Sequence, residues 1–472
     1  MKRIITLALM AAFVLGMYAS AQAAMEVKMV GDARISANFR WNKNYTGWNA
    51  SGTQTEEPLD IWERFRLRTD FVANEALKFR LGVKVEDTWG HNGFTVDADS
   101  ANLYVYQAYL QFKWPDTDVE ITAGYQSVTL PVASIWNGSL ILDTETAAII
   151  VSAPLIQDTL GLLAGFTRMV DTNQRYDTTT TQVPDELDAY VLALPITLDG
   201  FTIIPWSVIG VAGNAANYAA AGIADNLVSA GYLLTPAGFR ESQAVYWWAG
   251  GVFEVTAFDP IKFYADVIYG QGAMGDRTKN RRWGWFIDAA VEYTGWDVLT
   301  PQLFGWWSTG EDSSTTNGSE RLPNINTAWN CGNSFLMDGG QAFKDGYMGL
   351  NPIGSWGLGI SLNDISFIEN LSHRLTFAYA RGTNSSKALR DANAALGYGN
   401  ALFQMGRDLT VDEYVVGVNF DTQYMIYENL AAILETGWSH GEFQSSVWGH
   451  RLTQQARDGD AWKVAFGLQY KF

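Results

Sequence analysis

Trp462-Lys463-Val464-Ala465-Phe466-Gly467-Leu468-Gln469-Tyr470-Lys471-Phe472 puts a large apolar side chain at every even position and a small or polar one at every odd position. A helix would scatter Lys463, Gln469 and Lys471 over inconsistent faces, whereas a strand sends them all to one side. The same period of two opens the chain after its first two dozen residues. Val27, Met29, Ala33, Ile35, Ala37, Phe39 and Trp41 alternate there with Glu26, Lys28, Asp32, Arg34, Ser36, Asn38 and Arg40. It recurs at 62–72 and 77–88, where Phe65, Leu67, Phe71, Phe79, Leu81, Val83 and Val85 alternate with charged residues.

Alternation alone also fits a soluble sandwich, so the surroundings of these strands decide. Residues 1–23 read as a secretory signal: Lys2 and Arg3, an apolar run from Ile4 to Tyr18, then Ala21-Gln22-Ala23 as a small-x-small cleavage site. No later segment reaches the roughly 18 continuous apolar residues of a transmembrane helix. Connections alternate between tight turns (74–76, 115–118, 258–260) and long stretches rich in Gly, Asn, Asp, Ser and Thr (42–60, 169–186, 212–240, 309–353, 382–409). Short turns on one side and long loops on the other are the habit of transmembrane barrels, and a bilayer forces closure because no backbone group can stay unpaired in lipid.

The expected fold is therefore an all-β transmembrane antiparallel barrel of eighteen strands, with sixteen as the alternative, followed as one domain from 24 to 472. The strands are expected at 26–41, 61–72, 77–89, 103–114, 119–127, 144–153, 159–168, 187–195, 201–211, 242–256, 261–270, 282–293, 298–308, 355–362, 372–381, 411–421, 429–439 and 461–472.

Composition narrows the function. Loss of residues 1–23 removes Lys2 and Arg3, leaving 30 basic against 50 acidic residues, a net charge of −20. That balance excludes a nucleic-acid partner, which needs a basic footprint. With 47% hydrophobic and 14% aromatic residues the chain is too apolar for a solvated tail. Cys331 is the single cysteine, so no intramolecular disulfide forms. His91, His373, His440 and His450 are scattered, with neither metal-ligand spacing nor a recognisable Ser–His nucleophile setting, so no enzyme and no cofactor are expected. Asp97 and Asp99 leave open a loop-bound calcium, although they do not fit EF-hand spacing.

The polar phase of the first three strands is basic: Arg34, Arg40, Arg64, Arg66, Arg68, Lys78, Arg80 and Lys84. Antiparallel neighbours hold such side chains roughly 4.5–5.5 Å apart, a positive wall bearable only with water, anions or carboxylates beside it. Asp70 and Glu86 supply part of that, and Asp266, Asp288, Glu292 and Glu435 are expected to form an opposing wall. Such an arrangement makes a charged eyelet that favours anions, or it merely keeps the lumen wet. The net acidity argues for cations, but that charge is expected largely on external loops, and screening acts over roughly 8 Å at physiological salt.

Residues 128–143 form the candidate constriction loop, with Pro131, Trp136, Asn137, Asp143 and Glu145 as its marked positions. Pro131 interrupts the ladder and Asn137-Gly138 makes a turn; the alternative is a strand extension. Trp247, Trp283, Trp285 and Trp307 fall on the lipid phase as interfacial rings. Trp248 and Trp306 fall on the lumen phase, where they would suit a sugar slide.

Arg64-Phe65-Arg66-Leu67-Arg68-Thr69-Asp70-Phe71-Val72-Ala73-Asn74-Glu75-Ala76-Leu77-Lys78 resembles the strand–turn–strand signature of bacterial general porins, and more narrowly that of the homotrimeric outer-membrane porins of sulfate-reducing bacteria. Phe466, Leu468, Tyr470 and the terminal Phe472 resemble the signal read by the barrel-assembly machinery. Gly124-Tyr125-Gln126, followed by Trp136-Asn137-Gly138, occupies the place of the porin constriction loop. The resemblance implies a homotrimer and passive diffusion of small solutes. It also implies handling by periplasmic chaperones and a final place in the outer membrane of a Gram-negative bacterium, among lipid and lipopolysaccharide. One departure stands out: 128–142 holds no acidic residue, unlike the family's loop. Beyond a general diffusion channel the open classes are a substrate-specific sugar or organic-acid channel, a barrel lipase, and a non-conducting structural barrel or adhesin.

Overall fold

A computed structural model describes residues 25–45, 59–91, 95, 102–171, 184–216, 218, 242–273, 281–314, 317–326, 328–330, 334–337, 342–343, 349–396, 403–458 and 460–472. The signal segment, Asp97, Asp99 and Cys331 lie outside the described residues.

The chain closes on itself as one antiparallel barrel of eighteen strands. These are β1 (Glu26–Trp41), β2 (Leu59–Asn74), β3 (Leu77–Thr88), β4 (Leu103–Lys113), β5 (Glu120–Thr129), β6 (Asp143–Ile156), β7 (Leu160–Asp171), β8 (Glu186–Ala193, resuming at Ile196–Leu198) and β9 (Phe201–Gly213). The second half comprises β10 (Gln243–Phe258), β11 (Ile261–Gly272), β12 (Arg282–Tyr293), β13 (Thr300–Ser308), β14 (Ser355–Ile368), β15 (Leu371–Gly382), β16 (Tyr414–Tyr427), β17 (Leu430–Glu442) and β18 (Ala461–Lys471). Every span expected from the period of two is a strand, so sixteen is excluded. The break in β8 falls at Pro195, which lacks an N–H for the ladder; its carbonyl still accepts from Gly161 N at 2.8 Å.

Closure is made by the first and last strands. β18 pairs with β1 from Asp32↔Lys471 to Trp41↔Trp462, and Phe472 exchanges backbone hydrogen bonds with Gly31 at 2.8 and 3.1 Å. Phe466, Leu468, Tyr470 and Phe472 all point outward and are exposed, and the Phe472 ring stacks on Phe65 and Tyr470. No edge is left for another strand to pair with.

Eight short connections lie at the end that holds both termini and nine long ones at the other, which sets the periplasmic and extracellular sides. Among the described residues, two of the long connections carry α-helices: α1 (Ser386–Leu396) between β15 and β16, and α2 (Ser445–Trp448) with α3 (His450–Asp458) between β17 and β18.

Outward positions are large and apolar, with a ring girdle at the extracellular level. Trp247, Tyr269, Trp285, Trp307, Trp356, Tyr379, Tyr414, Trp438, Trp462 and Trp41 stand on successive strands from β10 round to β1, each within four residues of its strand's extracellular end. Neighbouring rings touch, as in Trp247–Tyr269 at 5.9 Å, Tyr269–Trp285 at 4.7 Å and Tyr379–Tyr414 at 5.8 Å. Amphipathic rings favour that depth of a bilayer. Inward rings instead lie over glycines of the next strand. A Cβ on Gly357 would meet the Trp306 ring at 2.1 Å, and one on Gly250 would meet Trp206 at 2.3 Å.

Candidate functional site: the lumen and its inward loops

The β1–β2–β3 register stacks the basic residues into one wall. Arg34 faces Arg64, Asp32 faces Arg66, Arg66 faces Lys84 and Asp70 faces Arg80. At its centre Asp32 gathers three guanidinium groups: Arg66 Nε donates to Oδ1 at 2.7 Å, Arg64 Nη2 to Oδ2 at 3.1 Å, and Arg34 Nε lies 3.3 Å from Oδ2. The like charges that repel along this ladder are thus held on one carboxylate. Asp32 is the functional residue that pattern reading passed over: it sits in the β1 alternation, and only the register with β2 brings it among the arginines.

Below this cluster Asp70 takes both arms of Arg80, at 2.5 and 2.6 Å, while the guanidinium also lies 5.7 Å from the Tyr109 ring centre. Lys84 sits 3.5 Å from Glu86. Arg40 pairs with Asp60 near the extracellular end of the wall. Arg68 is exposed, and among the described residues neither it nor Lys78 has an ion-pair partner. The lumen phase of β1–β3 holds nine basic and five acidic side chains, four net positive charges.

The segment from Leu130 to Leu142 leaves β5, folds inward and crosses to the opposite side before returning to β6. Its anchors are the acids of that side. Ala133 N donates to both oxygens of Asp266 at 3.1 and 3.0 Å, Ser134 N to Glu254 at 2.6 Å, and the Trp136 indole N–H to Asp288 at 2.9 Å. Asp266 and Asp288 are therefore buried, 2% and 1% exposed. This corrects the expected opposing wall: two of its four members face loop backbone and indole groups rather than the water path.

A second inward segment was expected as an external loop. The connection between β13 and β14 turns into the lumen instead and carries Leu322, Ile325, Trp329, Phe335, Leu336, Phe343, Leu350 and Ile353 into burial. Its far end docks on β16 and β17: Phe335 N donates to Asn419 at 3.0 Å, and Ala342 N to Glu435 at 2.6 Å. Glu435 also holds the buried Lys463 at 2.7 Å, so it too is a loop anchor. Arg34 donates to Ala342 O, which ties this segment to the basic wall.

The two inward segments are joined to each other. Ile325 N and Asn326 N donate to Ile141 O at 2.9 and 3.1 Å, Ala328 N to Ser139 O at 3.0 Å and Asn330 N to Asn137 O at 3.0 Å. Trp136 and Trp329 meet at 5.6 Å between ring centres. Gly138, at φ +69°, is what lets them close: a Cβ there would lie 2.5 Å from Ala328 O. Pro131 and Asn137 thus belong to the inward segment. Asp143 opens β6, accepting from Thr129 Oγ1 at 2.8 Å. Glu145 does not belong to the loop; it lies on the outward phase of β6, paired across from Ser127.

Trp248 and Trp306 are on the lumen phase but are covered. Trp248 Nε1 donates to Pro323 O at 2.7 Å and Trp306 Nε1 to Ser355 Oγ at 3.1 Å. Both are under 5% exposed, which removes them as a stacking surface for sugars. On the periplasmic side, beneath Ile135 and Ala342, opens a cavity of about 630 Å³ lined by Arg34, Arg374 and Lys471 and by the acids Glu292, Asp364, Asp421 and Glu435. Glu292 alone of the expected opposing acids reaches an open space while holding no loop backbone.

On the extracellular side the second segment is held by a buried charge cluster. Asp408 accepts from Arg321 at 2.9 Å and Arg407 at 2.8 Å. Burial alone would raise its carboxyl, but the two guanidinium charges outweigh that and hold it below the usual range. Glu311, bonded by the Ser319 hydroxyl, is pushed by burial up to about 7, against the pull of Ser319, Arg321 and Arg282.

No protein-family model matches the chain and no curated protein is similar to it in sequence. Solved structures are similar in fold. OccK11 (OpdR) of Pseudomonas aeruginosa aligns over 94% of this chain and 96% of its own, at 11% identity and a TM-score of 0.51. OpdL of the same organism aligns over 95% and 99%, at 11% identity and 0.52. OccAB3 of Acinetobacter baumannii aligns over 95% and 99%, at 13% identity and 0.51. At these identities the likeness carries the barrel fold. A closed barrel of this size, with an apolar outer band and a polar lumen, belongs in the outer membrane of a Gram-negative bacterium, and its fold is like that of these solved outer-membrane channels.

Proposed function

We propose that this protein is a passive diffusion channel for small hydrophilic solutes and ions, not an enzyme, that works as a homotrimer and prefers anions. The observation that carries the reading is the asymmetry of the lumen. The β1–β3 wall turns four net positive charges to water, while Asp266, Asp288 and Glu435 on the other side are consumed by loop backbone and side-chain donors. An anion passing the joined loops meets cation donors at each step of β2, about 7 Å apart, and few free carboxylates. Rings of Arg and Lys select for anions in this way.

A second reading is a channel specific for small organic acids. It is favoured by the double constriction, which brings solute close to the Asp32–arginine cluster. The sugar version loses its support with the burial of Trp248 and Trp306. The narrower likeness, to the porins of sulfate-reducing bacteria, rests on the Arg64–Lys78 pattern alone.

Reversal potential of the purified protein in a planar bilayer under a salt gradient tests the reading. The expected result is anion preference that moves toward cations in Arg66→Glu and Arg80→Glu, and further with Arg68→Glu. An unchanged potential in all three removes the wall as selector. Saturable block of the current by one carboxylate would favour the specific channel.

A further inference from the structure

The outward wall of β12–β14 holds a groove of about 450 Å³, lined by Ile287, Val291, Leu303, Trp307, Trp356 and Leu358. Ala289 and Gly305, paired across β12 and β13, give it a low floor. Leu358, paired with Gly305, leans over that floor: a Cβ on Gly305 would meet its Cδ2 at 2.7 Å. Ile287, Leu303, Trp307 and Leu358 are 41–58% exposed, so the walls of the groove are apolar and open to the bilayer. Its upper end lies between Trp307 and Trp356, in the extracellular ring girdle. From Trp307 down to Leu303 is about 13 Å along the strand, a little under half of the roughly 30 Å hydrocarbon core. The groove therefore spans one leaflet, the outer one.

A cation stands beside the upper end. Arg381 on β15 is paired with Trp356 on one side and with Tyr414 on the other. Tyr379, two residues deeper on the same strand, has its ring 5.6 Å from Trp356 and 5.8 Å from Tyr414. Arg381 is exposed, and its Nε donates to Val411 O at 2.7 Å. Its guanidinium has no ion-pair partner among the described residues, and the neighbouring Asp412 accepts from Ser386 Oγ at 2.9 Å. The other outward arginine of the described strands, Arg168, is closed by Asp171 and Asp188 at 3.3 and 2.8 Å. An uncompensated guanidinium at headgroup depth, with an apolar channel running from it toward the bilayer middle, matches a molecule that carries phosphate above and a straight hydrocarbon chain below.

We infer that the groove and Arg381 form one binding site for the lipid A portion of lipopolysaccharide, with an acyl chain along Gly305 and a phosphate on the guanidinium. Arginine takes phosphate by two parallel N–H bonds, the stronger kind of hydrogen bond. The groove contributes shape, since hydrocarbon is as apolar as the walls and only close packing favours one chain over bulk lipid. Phosphatidylethanolamine is the poorer occupant because its ammonium would be brought beside Arg381. The inference rests on the barrel's place in the outer membrane and is independent of whether, or what, the lumen conducts.

The test is titration of the detergent-purified, lipid-stripped barrel with lipid A, read by native mass spectrometry. Dephosphorylated lipid A and phosphatidylethanolamine serve as comparison lipids. Lipid A is expected to bind about tenfold more tightly than either, and Arg381→Ala to remove that advantage, as loss of a charge-assisted contact should. Arg168→Ala is the control and should change nothing. Gly305→Leu and Ala289→Leu both fill the groove from the lipid side and should weaken lipid A binding about tenfold; the second does so without crowding Leu358. Folding of each variant is checked by its heat-modifiable band. Unchanged lipid A binding in folded Arg381→Ala or in folded Ala289→Leu would overturn the site, as would equal binding of phosphatidylethanolamine. In intact outer membranes a photo-reactive residue at Leu358 should form adducts with lipopolysaccharide more strongly than one at Ile149, which is equally outward on β6. Adducts from Leu358 only to a second copy of the chain would also overturn it. Salt-gradient conductance, measured separately, reports on the lumen and not on this face.

Discussion

Two walls of one lumen carry the same kind of sequence signal and put it to different use. On β1–β3 the charged phase stays beside the water path, and its arginines are organised by carboxylates within the wall itself, three of them on Asp32. On β10–β12 and β17 the charged phase is acidic, and it is covered: Asp266, Asp288 and Glu435 accept from the backbone and indole groups of loops that arrive from elsewhere. A carboxylate that caps a loop donor no longer projects its charge into the lumen as a free one does. Polar alternation on a barrel strand therefore reports that a side chain faces in, but whether it meets water or a loop depends on what the long connections do.

The comparison breaks most visibly if the loops are removed. Replacing 322–343 by a short Gly-Ser linker should uncover Glu435 and Trp248, raise single-channel conductance severalfold and weaken anion preference; unchanged conductance would mean the segment does not bound the path. A pH series sharpens it at the extracellular side. Glu311 titrates near 7 when docked and near 4.5 when released. Docking is thus fully stable below the released value and loses stability as pH rises through 7, by up to about 3 kcal/mol at alkaline pH. Asp408, held low, contributes throughout that range and loses its effect only in strong acid. Hydrogen exchange of the 309–321 amides should accelerate from pH 5 to 8 after correction for intrinsic rates, and Glu311→Gln should flatten the trend.

A smaller effect separates the two kinds of acid directly. Asp288→Ala leaves the Trp136 indole and the Asp266 amide without their acceptor, a loss of about 1–3 kcal/mol, and should increase current flicker and proteolysis at 130–142 without moving the reversal potential. Asp70→Ala should do the opposite, raising anion preference with the loop intact. Least of all, Trp248→Phe removes the hydrogen bond to Pro323 at 2.7 Å, worth about 0.5–1.5 kcal/mol. Melting in detergent should fall slightly, and sugar permeation should not change.

The strands were readable because the bilayer imposes a strict alternation that survives in every span, even where Pro195 breaks β8. The first inward segment was readable too: Leu130, Ile135, Leu140 and Ile141 are too apolar for an external loop, and Pro131 and Asn137-Gly138 stop a strand. The second was missed because its Gly, Asn and Ser content looks external. Leu322, Ile325, Trp329, Phe335 and Leu336 were the available sign, since so many large apolar side chains need something to cover them. Glu145 was misplaced by a boundary: the loop ends at Leu142 and β6 begins at Asp143, and one phase shift moves a side chain from lumen to membrane. Asp32 needed the cross-strand register, which no single strand contains.

The backbone bridge between Asn137 and Asn330 separates the sieve from the scaffold. Aperture here is a property of two segments that hold hands across the void, not of how many staves make the cask. Descendants of this chain can widen, narrow or re-tune the passage by exchanging a few residues of either arm, with the membrane-embedded shell left untouched.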